Sequence, residues 1–311
     1  MNRLAFILPW LARIAACLLL AGLLVRVSGL RDRHPLPGVI FYATPWPVLA
    51  GLAFCLACYA LGRRRRARAL ALALVLAGSS AMWVRQSFVR AQPEPGEVAM
   101  RFVYWNAARP ERHRAQCVSY LQSLHADIVA IGEANVFTDD FPAEWRDGFA
   151  GRSLLQRRGL VLITPEPPVS VEVGRLADRG DYLLARCLVK ERAITLLLVD
   201  FESRVTYSKA APFTRLNEII AAHRDEPLVV AGDFNTPRES VHFDSWRRDF
   251  REAFETGGHG FSETWPNPFP LLRIDHCWLG PRWRAVHCEL GASLLSDHRA
   301  IIADLAPAAA R

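Results

Sequence analysis

The chain has 311 residues, enough for one large domain or two small ones with a sizeable hydrophobic core, which excludes a disordered tail and a small disulfide scaffold. Its positive charge is confined to the N-terminal third: residues 1–95 carry 12 Arg, no Lys and two acidic residues, a net +10, whereas the other 216 residues carry 26 basic and 29 acidic residues, a net −3. The basic character of the chain therefore does not indicate a nucleic-acid-binding surface on the C-terminal part.

Three apolar runs in the first 90 residues predict membrane-spanning helices. They are Leu4–Val25, Gly38–Leu61 and Ala69–Val84. At a rise of about 1.5 Å per residue, the first two can cross about 30 Å of hydrocarbon. The third is short unless Arg85 extends towards the lipid headgroups. We therefore predict a membrane anchor over residues 1–90 with about three transmembrane helices.

Basic residues between the second and third runs predict the orientation of this anchor. They are Arg63, Arg64, Arg65, Arg66 and Arg68. Because basic loops remain in the cytoplasm, an odd number of spans places everything after the third on the extracytoplasmic side of the cell (inner) membrane. The lipid bilayer is thus an expected partner. A cleavable signal peptide, or a lipoprotein cleavage box at Ile14–Cys17, is the alternative interpretation of the first run.

Residues 91–97 are rich in Pro and Gly and predict a linker, so that a second domain comprises residues 98–311. Short β-rich runs there alternate with two helical patterns, which predicts an α/β domain of largely antiparallel sheets covered by helices. The predicted strands are Met100–Trp105, Ile128–Ile131, Leu160–Thr164, Tyr182–Val189, Ile194–Phe201, Leu228–Ala231, Ile274–Leu279, Arg284–Glu289 and Arg299–Leu305, and the predicted helices are Glu111–Leu124 and Pro212–His223. Cys277 and Cys288, on successive strands, are either buried thiols or a disulfide.

Several of these apolar strands end in a polar residue that a core would not tolerate unpaired. The polar residues are Asn106, Glu133, Asp233 with Asn235, Asp275 with His276, and Asp297 with His298. Each alone has an ordinary explanation as a turn, a cap or a locally bonded side chain. If the strands share one end, two amides, four carboxylates and two imidazoles converge there. Clustered carboxylates repel each other unless a cation neutralises them, and oxygen ligands favour Mg²⁺ or Mn²⁺ over zinc.

In this order, the motifs resemble the endonuclease/exonuclease/phosphatase superfamily, which includes DNase I-like nucleases, exonuclease III-like enzymes, bacterial sphingomyelinases and inositol polyphosphate 5-phosphatases. The resemblance covers about Arg101–Leu305. It rests on Asn106 and on the segments Ala126–Glu133, Gly232–Asn235, Arg273–His276 and Ser296–His298. It implies a four-layer α/β sandwich of DNase I-like type, preceded here by transmembrane helices, and thus a membrane-anchored bacterial-type member.

The resemblance also implies metal-assisted hydrolysis of a phosphoester, with Mg²⁺ or Mn²⁺ as the cofactor. Glu133 is the expected principal metal ligand, helped by Asn106 and Asp297. An activated water would attack the phosphorus in line with the leaving group.

Four further residues have catalytic roles by the same resemblance. Asp233 would orient or deprotonate the attacking water, and Asn235 would hold a phosphate oxygen. His298, oriented by Asp275, would bind and stabilise the phosphate as negative charge develops.

Two departures from the family pattern bear on the substrate. Asp200 stands where many members have a histidine, which removes a phosphate contact and adds negative charge unless Asp200 binds a second metal or a cationic substrate group. Ala108 stands where abasic-site nucleases have an aspartate. We expect a phosphodiesterase or phosphatase acting on a lipid headgroup, an inositol-type phosphate or nucleic acid. An extracytoplasmic nuclease and a catalytically silent ligand-binding domain are the alternatives, and the oligomeric state stays open.

Overall fold

The computed structural model describes residues 3–93, 95–108, 110–134 and 141–308. The chain divides into two compact units: a helical unit that comprises the chain up to Phe88 and the short segment Arg204–Ser208, and an α/β unit that comprises Val89–Ser203 and the chain from Lys209 onwards. Of the predicted linker, Glu94 lies outside the described residues.

Within the described residues, the first unit forms four helices: α1 (Arg3–Val27), α2 (Pro35–Ala43), α3 (Trp46–Gly62) and α4 (Arg66–Ser87). Two of these are long and apolar enough to cross a membrane, α1 over Ile7–Val27 and α4 over its whole length. Helices α2 and α3 meet the same criterion only as a pair, which is bent by 68°. By length and composition, the described helices therefore include two candidate spans, or three if the bent pair is counted as one.

The bend between α2 and α3 has a local cause. Pro45 cannot donate a backbone N–H, and it lies inside the run Gly38–Leu61 that was predicted as a single span. The guanidinium of Arg26 donates to the backbone oxygens of Phe41 and Thr44 at 2.9 and 2.8 Å. It thereby satisfies carbonyls at the end of α2 that lack a helical partner. The run Ala69–Val84, which is short for a membrane span, forms part of the 22-residue helix α4.

In the described part of the second unit, most strands form two six-stranded sheets. The strands are β1 (Phe88–Arg90), β2 (Met100–Asn106), β3 (Ile128–Gly132), β4 (Ser153–Arg157), β5 (Leu160–Thr164), β6 (Ser170–Arg175), β7 (Gly180–Val189), β8 (Arg192–Phe201), β9 (Leu228–Asp233), β10 (Arg251–Glu252), β11 (His259–Phe261), β12 (Asp275–Leu279), β13 (Trp283–Leu290) and β14 (Ile301–Pro307). The first sheet has the order β13-β14-β2-β3-β5-β4, the second has β10-β12-β9-β8-β7-β6, and β1 pairs with β11. Within the two sheets, only β2–β3 and β8–β9 are parallel among these described strands. Cys277 and Cys288 are buried free thiols.

Helices cover the outer faces of both sheets. They are α5 (Arg114–Ser123), α6 (Ala143–Gly148), α7 (Ala210–Ala222) and α8 (Trp246–Asp249), whereas α9 (Ala253–Gly257) contributes Ala253 and Phe254 to the cluster between the sheets. The first sheet is covered by α5 and α6, which contribute Val118 and Trp145 to a buried cluster. The second is covered by α7 and α8, through Phe213 and Trp246. A third buried cluster fills the space between the two sheets. This is the predicted four-layer α/β sandwich.

A charged cluster at the end of α7 provides a test of stability. Glu226 accepts hydrogen bonds from Arg186 at 2.7 and 2.9 Å, from Thr195 at 2.7 Å and from His223 at 2.8 Å. Arg186 is the main cause that lowers the Glu226 pKa from 4.5 to about 2, against the opposing effect of burial. Ionised Glu226 therefore stabilises the fold above about pH 4.5, and this contribution is lost as the pH falls towards 2.

We expect Glu226→Gln to lower the free energy of unfolding at pH 7 by about 1 kcal/mol, a modest value because the cluster is partly exposed to solvent. The difference from the parent should shrink between pH 4.5 and pH 3, as measured by thermal unfolding in detergent. Glu218→Gln is the matched control, because Glu218 pairs with Arg215 at the surface. A difference that is equally large at pH 7 and pH 3 would contradict this account.

Candidate active site

The polar residues that follow the apolar strands meet at one edge of the two sheets. Because β2 and β3 are parallel, Asn106 at the end of β2 and Glu133 just after β3 lie at the same edge. In the second sheet, Asp233 pairs in register with Asp275 across β9 and β12. Ligand atoms of Glu133, Asp233 and His298 all lie within 4.8 Å of one another. The structure thus brings side chains from both sheets into one cluster.

A glycine precedes each of the two clustered carboxylates. At Gly132 a Cβ atom would lie 2.5 Å from the hydroxyl oxygen of Tyr104, and at Gly232 it would overlap a backbone oxygen of β8. Glu133 and Asn235, close after these glycines, have positive φ angles of 52° and 45°. Such conformations cost non-glycine residues about 1–3 kcal/mol and are concentrated at functional sites.

Asn106 links the carboxylates through its side-chain amide. Its Nδ2 donates to Glu133 Oε1 at 3.2 Å and to Asp233 Oδ2 at 3.0 Å, while its Oδ1 accepts the backbone N–H of Ala108 at 3.0 Å. The amide therefore presents protons, not its oxygen, to the cluster. Metal binding by Asn106 would require its side-chain amide to flip, so that Oδ1 and Nδ2 exchange places. Its role as a metal ligand stays a prediction.

Asn235 orients the carboxylate of Asp233. Its backbone N–H donates to Asp233 Oδ1 at 2.7 Å, and its Nδ2 donates to Asp233 Oδ2 at 3.1 Å and to the backbone oxygen of Phe201 at 2.9 Å. Since an amide nitrogen carries two protons, both are engaged. The predicted contact between Asn235 and a phosphate oxygen would replace one of these bonds.

His298 is held through one ring nitrogen and through its backbone N–H. Its Nδ1 lies 2.8 Å from Asp275 Oδ2, and its Nε2 lies 4.0 Å from Asp233 Oδ2. Ser296 Oγ donates to the backbone oxygen of Asn106 at 2.7 Å and accepts the backbone N–H of His298 at 3.0 Å. With Nδ1 on Asp275, Nε2 is the ring nitrogen that faces the cluster.

Residues 103–298, more than half of the chain, match the sequence profile of the Endonuclease/Exonuclease/phosphatase family. The chain belongs to this family. Family members are hydrolases that act on phosphoesters, typically with a divalent metal, and the chain is accordingly a phosphoester hydrolase by family. No curated protein sequence matches it significantly.

Solved structures share the fold of this family member at low sequence identity. A mannosyl-6-phosphatase from Bacteroides thetaiotaomicron is 12% identical with a TM-score of 0.56, over 67% of this chain and 100% of that chain. The 3′ phosphatase NExo from Neisseria, bound to a product DNA hairpin, is 17% identical with a TM-score of 0.54, over 67% and 100%. Truncated TDP2 from Caenorhabditis elegans is 17% identical with a TM-score of 0.53, over 67% and 97%. At such identities the likeness shows the fold alone.

Burial and neighbouring charges shift the pKa values of two groups in the cluster. Burial raises the pKa of Asp233 to about 7; the charge of Asp275 adds to this, while His298 and the backbone N–H of Asn235 oppose it. Burial by itself would lower the pKa of His298, but the charge and hydrogen bond of Asp275 raise it to about 10. At neutral pH the imidazole is therefore a cation, and Asp233 exchanges its proton in the range that suits a general base.

The donor chemistry of the cluster fits the divalent metal that the family typically uses. Glu133 and Asp233 offer carboxylate oxygens, the hard ligands that Mg²⁺ and Mn²⁺ prefer. A protonated His298 donates a hydrogen bond and cannot act as a ligand, which suits a phosphate contact. Burial and the charges of Asp233 and Glu133 raise the pKa of Asp200 well above its usual range, so a bound cation would relieve repulsion at this edge.

Two of the predicted residues lie outside the cluster. Asp297 is exposed, and its Oδ2 accepts the indole N–H of Trp265 at 3.0 Å. Its role as a metal ligand stays a prediction. His276 is buried on the opposite face of β12, with Nε2 3.0 Å from the backbone oxygen of Thr236. The expectation of two imidazoles at this edge is wrong, because side chains alternate along a strand and Asp275 takes the inward position.

Asp200 belongs to a row of acidic residues across the second sheet. The residues in register on four neighbouring strands are Asp181, Asp200, Asp233 and Asp275. Beside them lies a cleft of about 290 Å³. The described residues that line the cleft include five acidic side chains, Glu133 among them, and two arginines. This wall of the site is therefore acidic.

Sequence reasoning missed the residues that hold the backbone of the site. Thr264 Oγ1 accepts the backbone N–H groups of Ile274 and Asp275 at 3.2 and 3.3 Å. The indole of Trp105 donates to the backbone oxygen of His298 at 3.1 Å. The signal for Trp105 is its place directly before Asn106, but no local pattern marks Thr264.

Proposed function

We propose that the chain is a membrane-tethered phosphodiesterase or phosphatase, with residues 98–311 as its catalytic domain. The observation that carries this proposal is the cluster of Glu133, Asp233 and His298, whose ligand atoms lie within 4.8 Å of one another in a member of a phosphoesterase family. The cluster combines carboxylates that suit a divalent cation with a cationic imidazole. These are the features that hydrolysis of a phosphoester by in-line attack requires.

Asp233 is proposed to orient and deprotonate the attacking water. Its pKa of about 7 allows it to accept a proton near neutral pH. Asn106 and Asn235 donate hydrogen bonds of 3.0, 2.7 and 3.1 Å to its two oxygens. The base is thus oriented before any substrate binds.

His298 is proposed to donate from Nε2 to a phosphate oxygen as negative charge develops. Asp275 holds Nδ1 and keeps the imidazole protonated, with a pKa of about 10. The 4.0 Å between His298 Nε2 and Asp233 Oδ2 is too long for a hydrogen bond. His298 Nε2 can therefore donate to a phosphate oxygen, and Asp233 Oδ2 can accept from the attacking water.

Glu133 is proposed to hold Mg²⁺ or Mn²⁺ together with Asp297, and with Asn106 if its amide flips so that Oδ1 faces the ion. Bound there, the ion would neutralise the phosphoryl oxygens and stabilise the leaving alkoxide. The carboxylate of Glu133 is held towards Asp233 through their shared hydrogen-bond donor, the amide of Asn106. Asp233 is proposed to position the water, and His298 is proposed to contact the phosphate.

The electrostatics of the site favour a compact phosphoester over nucleic acid. The cleft beside Glu133 is lined, among the described residues, by five acidic side chains and two arginines, and residues 96–311 carry a net charge of −3. A polynucleotide would bring a phosphate charge about every 1.7 Å of duplex towards this wall. Lipid headgroups and inositol-type phosphates are therefore the proposed substrates. Nuclease activity on a polynucleotide is the second candidate function.

The full-length chain in detergent is expected to hydrolyse at least one member of a panel of lipid, inositol and nucleotide phosphoesters when Mg²⁺ or Mn²⁺ is present. Excess EDTA should remove this activity, and adding back the metal ion should restore it. Released phosphate and phosphomonoesters are measured in parallel. Hydrolysis of DNA alone would favour the nuclease, and no hydrolysis of any ester would favour a silent binding domain.

We also propose that residues 1–90 anchor the chain, that 91–97 form a linker, and that the catalytic domain lies on the extracytoplasmic side. The basis is the arginine-rich segment Arg63–Arg68 and an odd number of spans, with the bent pair of α2 and α3 counted as one. Alkaline phosphatase fused after Ala91 should be active, whereas a reporter that requires the cytoplasm should be inactive at the same position. The reverse result would mean an even number of spans.

A further inference from the structure

Beside the active site, a short loop displays an exposed phenylalanine. Trp265 and Leu272 bond to each other through their backbones at 2.9 Å in both directions, which closes the segment into a loop, here called the proline loop (residues 265–272). Phe269 near its tip is 81% exposed, more than any other large apolar side chain among the described residues of the α/β unit. Three prolines alternate along the loop and each restricts φ to about −65°: Pro266, Pro268 and Pro270.

The proline loop is attached to the segment that carries His298. Asn267 donates its backbone N–H to the backbone oxygen of Asp297 at 2.7 Å and its side-chain amide to that of Ser296 at 3.1 Å. His298 follows directly in the chain. Hydrogen bonds and proline stiffness therefore hold Phe269 on a loop that is fixed to the two residues preceding His298.

More apolar surface adjoins the proline loop. Leu294 is 75% exposed and Leu271 is 37% exposed. A cleft of about 430 Å³ is lined by residues of the loop, by residues 294–297 and by the start of α5. Placing Phe and Leu in water on a rigid element is unfavourable unless another surface covers them. Three side chains are too few for a stable protein interface, which buries at least about 1,000 Å².

We propose that the proline loop and Leu294 enter the interfacial layer of a lipid bilayer, and that the substrate is a phosphoester of a membrane lipid whose acyl chains stay in that bilayer. This inference rests on the proposed function. A bilayer is at hand because α1 and α4 are long and apolar enough to cross one. In sequence, β1 (Phe88–Arg90) follows α4 (Arg66–Ser87) directly, so no long stretch of chain separates the last apolar helix from the α/β unit. The cleft beside Asp297 then receives the glycerol portion next to the scissile phosphate.

The first test compares turnover of a lipid with turnover of soluble esters. The full-length chain is reconstituted in vesicles of phosphatidylcholine, phosphatidylglycerol and phosphatidic acid, and p-nitrophenyl phosphate and bis(p-nitrophenyl) phosphate serve as soluble esters. We expect Phe269→Ser with Leu294→Ser to lower the ratio of lipid to soluble turnover by about tenfold or more. The control pair is Val169→Ser, 78% exposed just before the edge strand β6, and Val173→Ser, 38% exposed within it. It should leave this ratio within about twofold of the parent.

The second test does not depend on activity. In a chain whose exposed cysteines Cys17, Cys55 and Cys58 are replaced by Ser, either Phe269→Cys or Val169→Cys carries an environment-sensitive fluorophore. The emission from position 269 should shift to the blue in the vesicles, because the label enters an apolar layer. The emission from position 169 should stay at its wavelength in water.

An unchanged ratio, together with aqueous emission from both positions, overturns the proposal. Hydrolysis of the soluble esters without hydrolysis of any vesicle lipid also overturns it, and leaves the proposed function intact. Hydrolysis of DNA that falls with Phe269→Ser, while the label stays in water, would assign the loop to a nucleic-acid base instead. If no ester is hydrolysed, the proposed function fails, and aqueous emission from position 269 then overturns the bilayer contact on its own.

Discussion

Replacing Glu133 by Gln is expected to lower the rate of phosphoester hydrolysis by a factor on the order of 10²–10⁴ and to weaken Mg²⁺ or Mn²⁺ binding to a similar extent. Glu133 supplies one of the two carboxylates in the cluster with Asp233 and His298. The substitution keeps the length of the side chain and an oxygen that can accept from Asn106, so the main change is the loss of a charged ligand. The measurements are kcat/KM at several metal concentrations and metal affinity by calorimetry.

The same substitution should stabilise the protein when no metal is present. The charge of Glu133 raises the pKa values of Asp233 and Asp200, which means that these carboxylates repel one another. In EDTA, Glu133→Gln should therefore unfold at a higher temperature than the parent, and the stabilisation that metal gives the parent should be lost. Glu144→Gln, at an exposed position of α6, is the matched control. Unchanged activity of Glu133→Gln, or full activity of the parent in excess EDTA, would remove the metal from the mechanism.

Strand prediction succeeded where apolar runs are continuous and failed at three of the four edge strands of the two described sheets, β4, β6 and β10, while the edge strand β13 was predicted. Leu160–Thr164 has the predicted bounds and is buried throughout. Sequence analysis missed β4 and β6, the last strands of the two sheets. Ser153–Arg157 is only partly buried and Ser170–Arg175 is largely exposed, so neither forms an apolar run. Their pairing with β5 and β7 defines them, and a local pattern does not encode that pairing.

In the helical unit, hydropathy predicted where apolar helices occur but not how they divide. Averaging over the run Gly38–Leu61 conceals Pro45, which lacks a backbone N–H and lies where α2 ends and α3 begins. This break matters for function, because counting the bent pair as one span or as none changes the side of the membrane that is predicted for the second unit.

The active site was visible in the sequence as a polar residue after each apolar strand. Asn106 and Glu133 could be expected to meet, because the ends of neighbouring parallel strands lie together. The sequence does not say which member of a polar pair faces the cluster. Asp275 and His276 exchange roles if β12 shifts by one residue, and only its register with β9 places Asp275 beside Asp233.

Asp233→Asn and His298→Ala are each expected to lower turnover by about 10²–10⁴-fold, and the double variant should be barely slower than the poorer single one. The two groups lie 4.0 Å apart, and each influences the pKa of the other. Without the imidazolium, the pKa of Asp233 rises further, so less of the base is ionised at neutral pH. The acidic limb of the pH–rate profile of His298→Ala should therefore move to higher pH.

The stability of these variants must be measured, because a loss of turnover is catalytic only if the variant remains folded. Asp233→Asn keeps the shape of the side chain and removes one charge from an edge that also holds Asp275, so it should leave stability unchanged or raised. His298→Ala is different, because it leaves the fully buried Asp275 without its partner, at a cost of about 3–5 kcal/mol. His298→Gln is therefore its companion, since an amide can still donate to Asp275. Asp147→Asn and His259→Ala, both at exposed positions, are the controls. If the losses multiply in the double variant of Asp233→Asn with His298→Gln, the acid and the imidazole act independently. If either single variant hydrolyses the substrate at the normal rate, the role assigned to that residue is wrong, because a buried base and a buried cation that both face the phosphate cannot be dispensable for its hydrolysis.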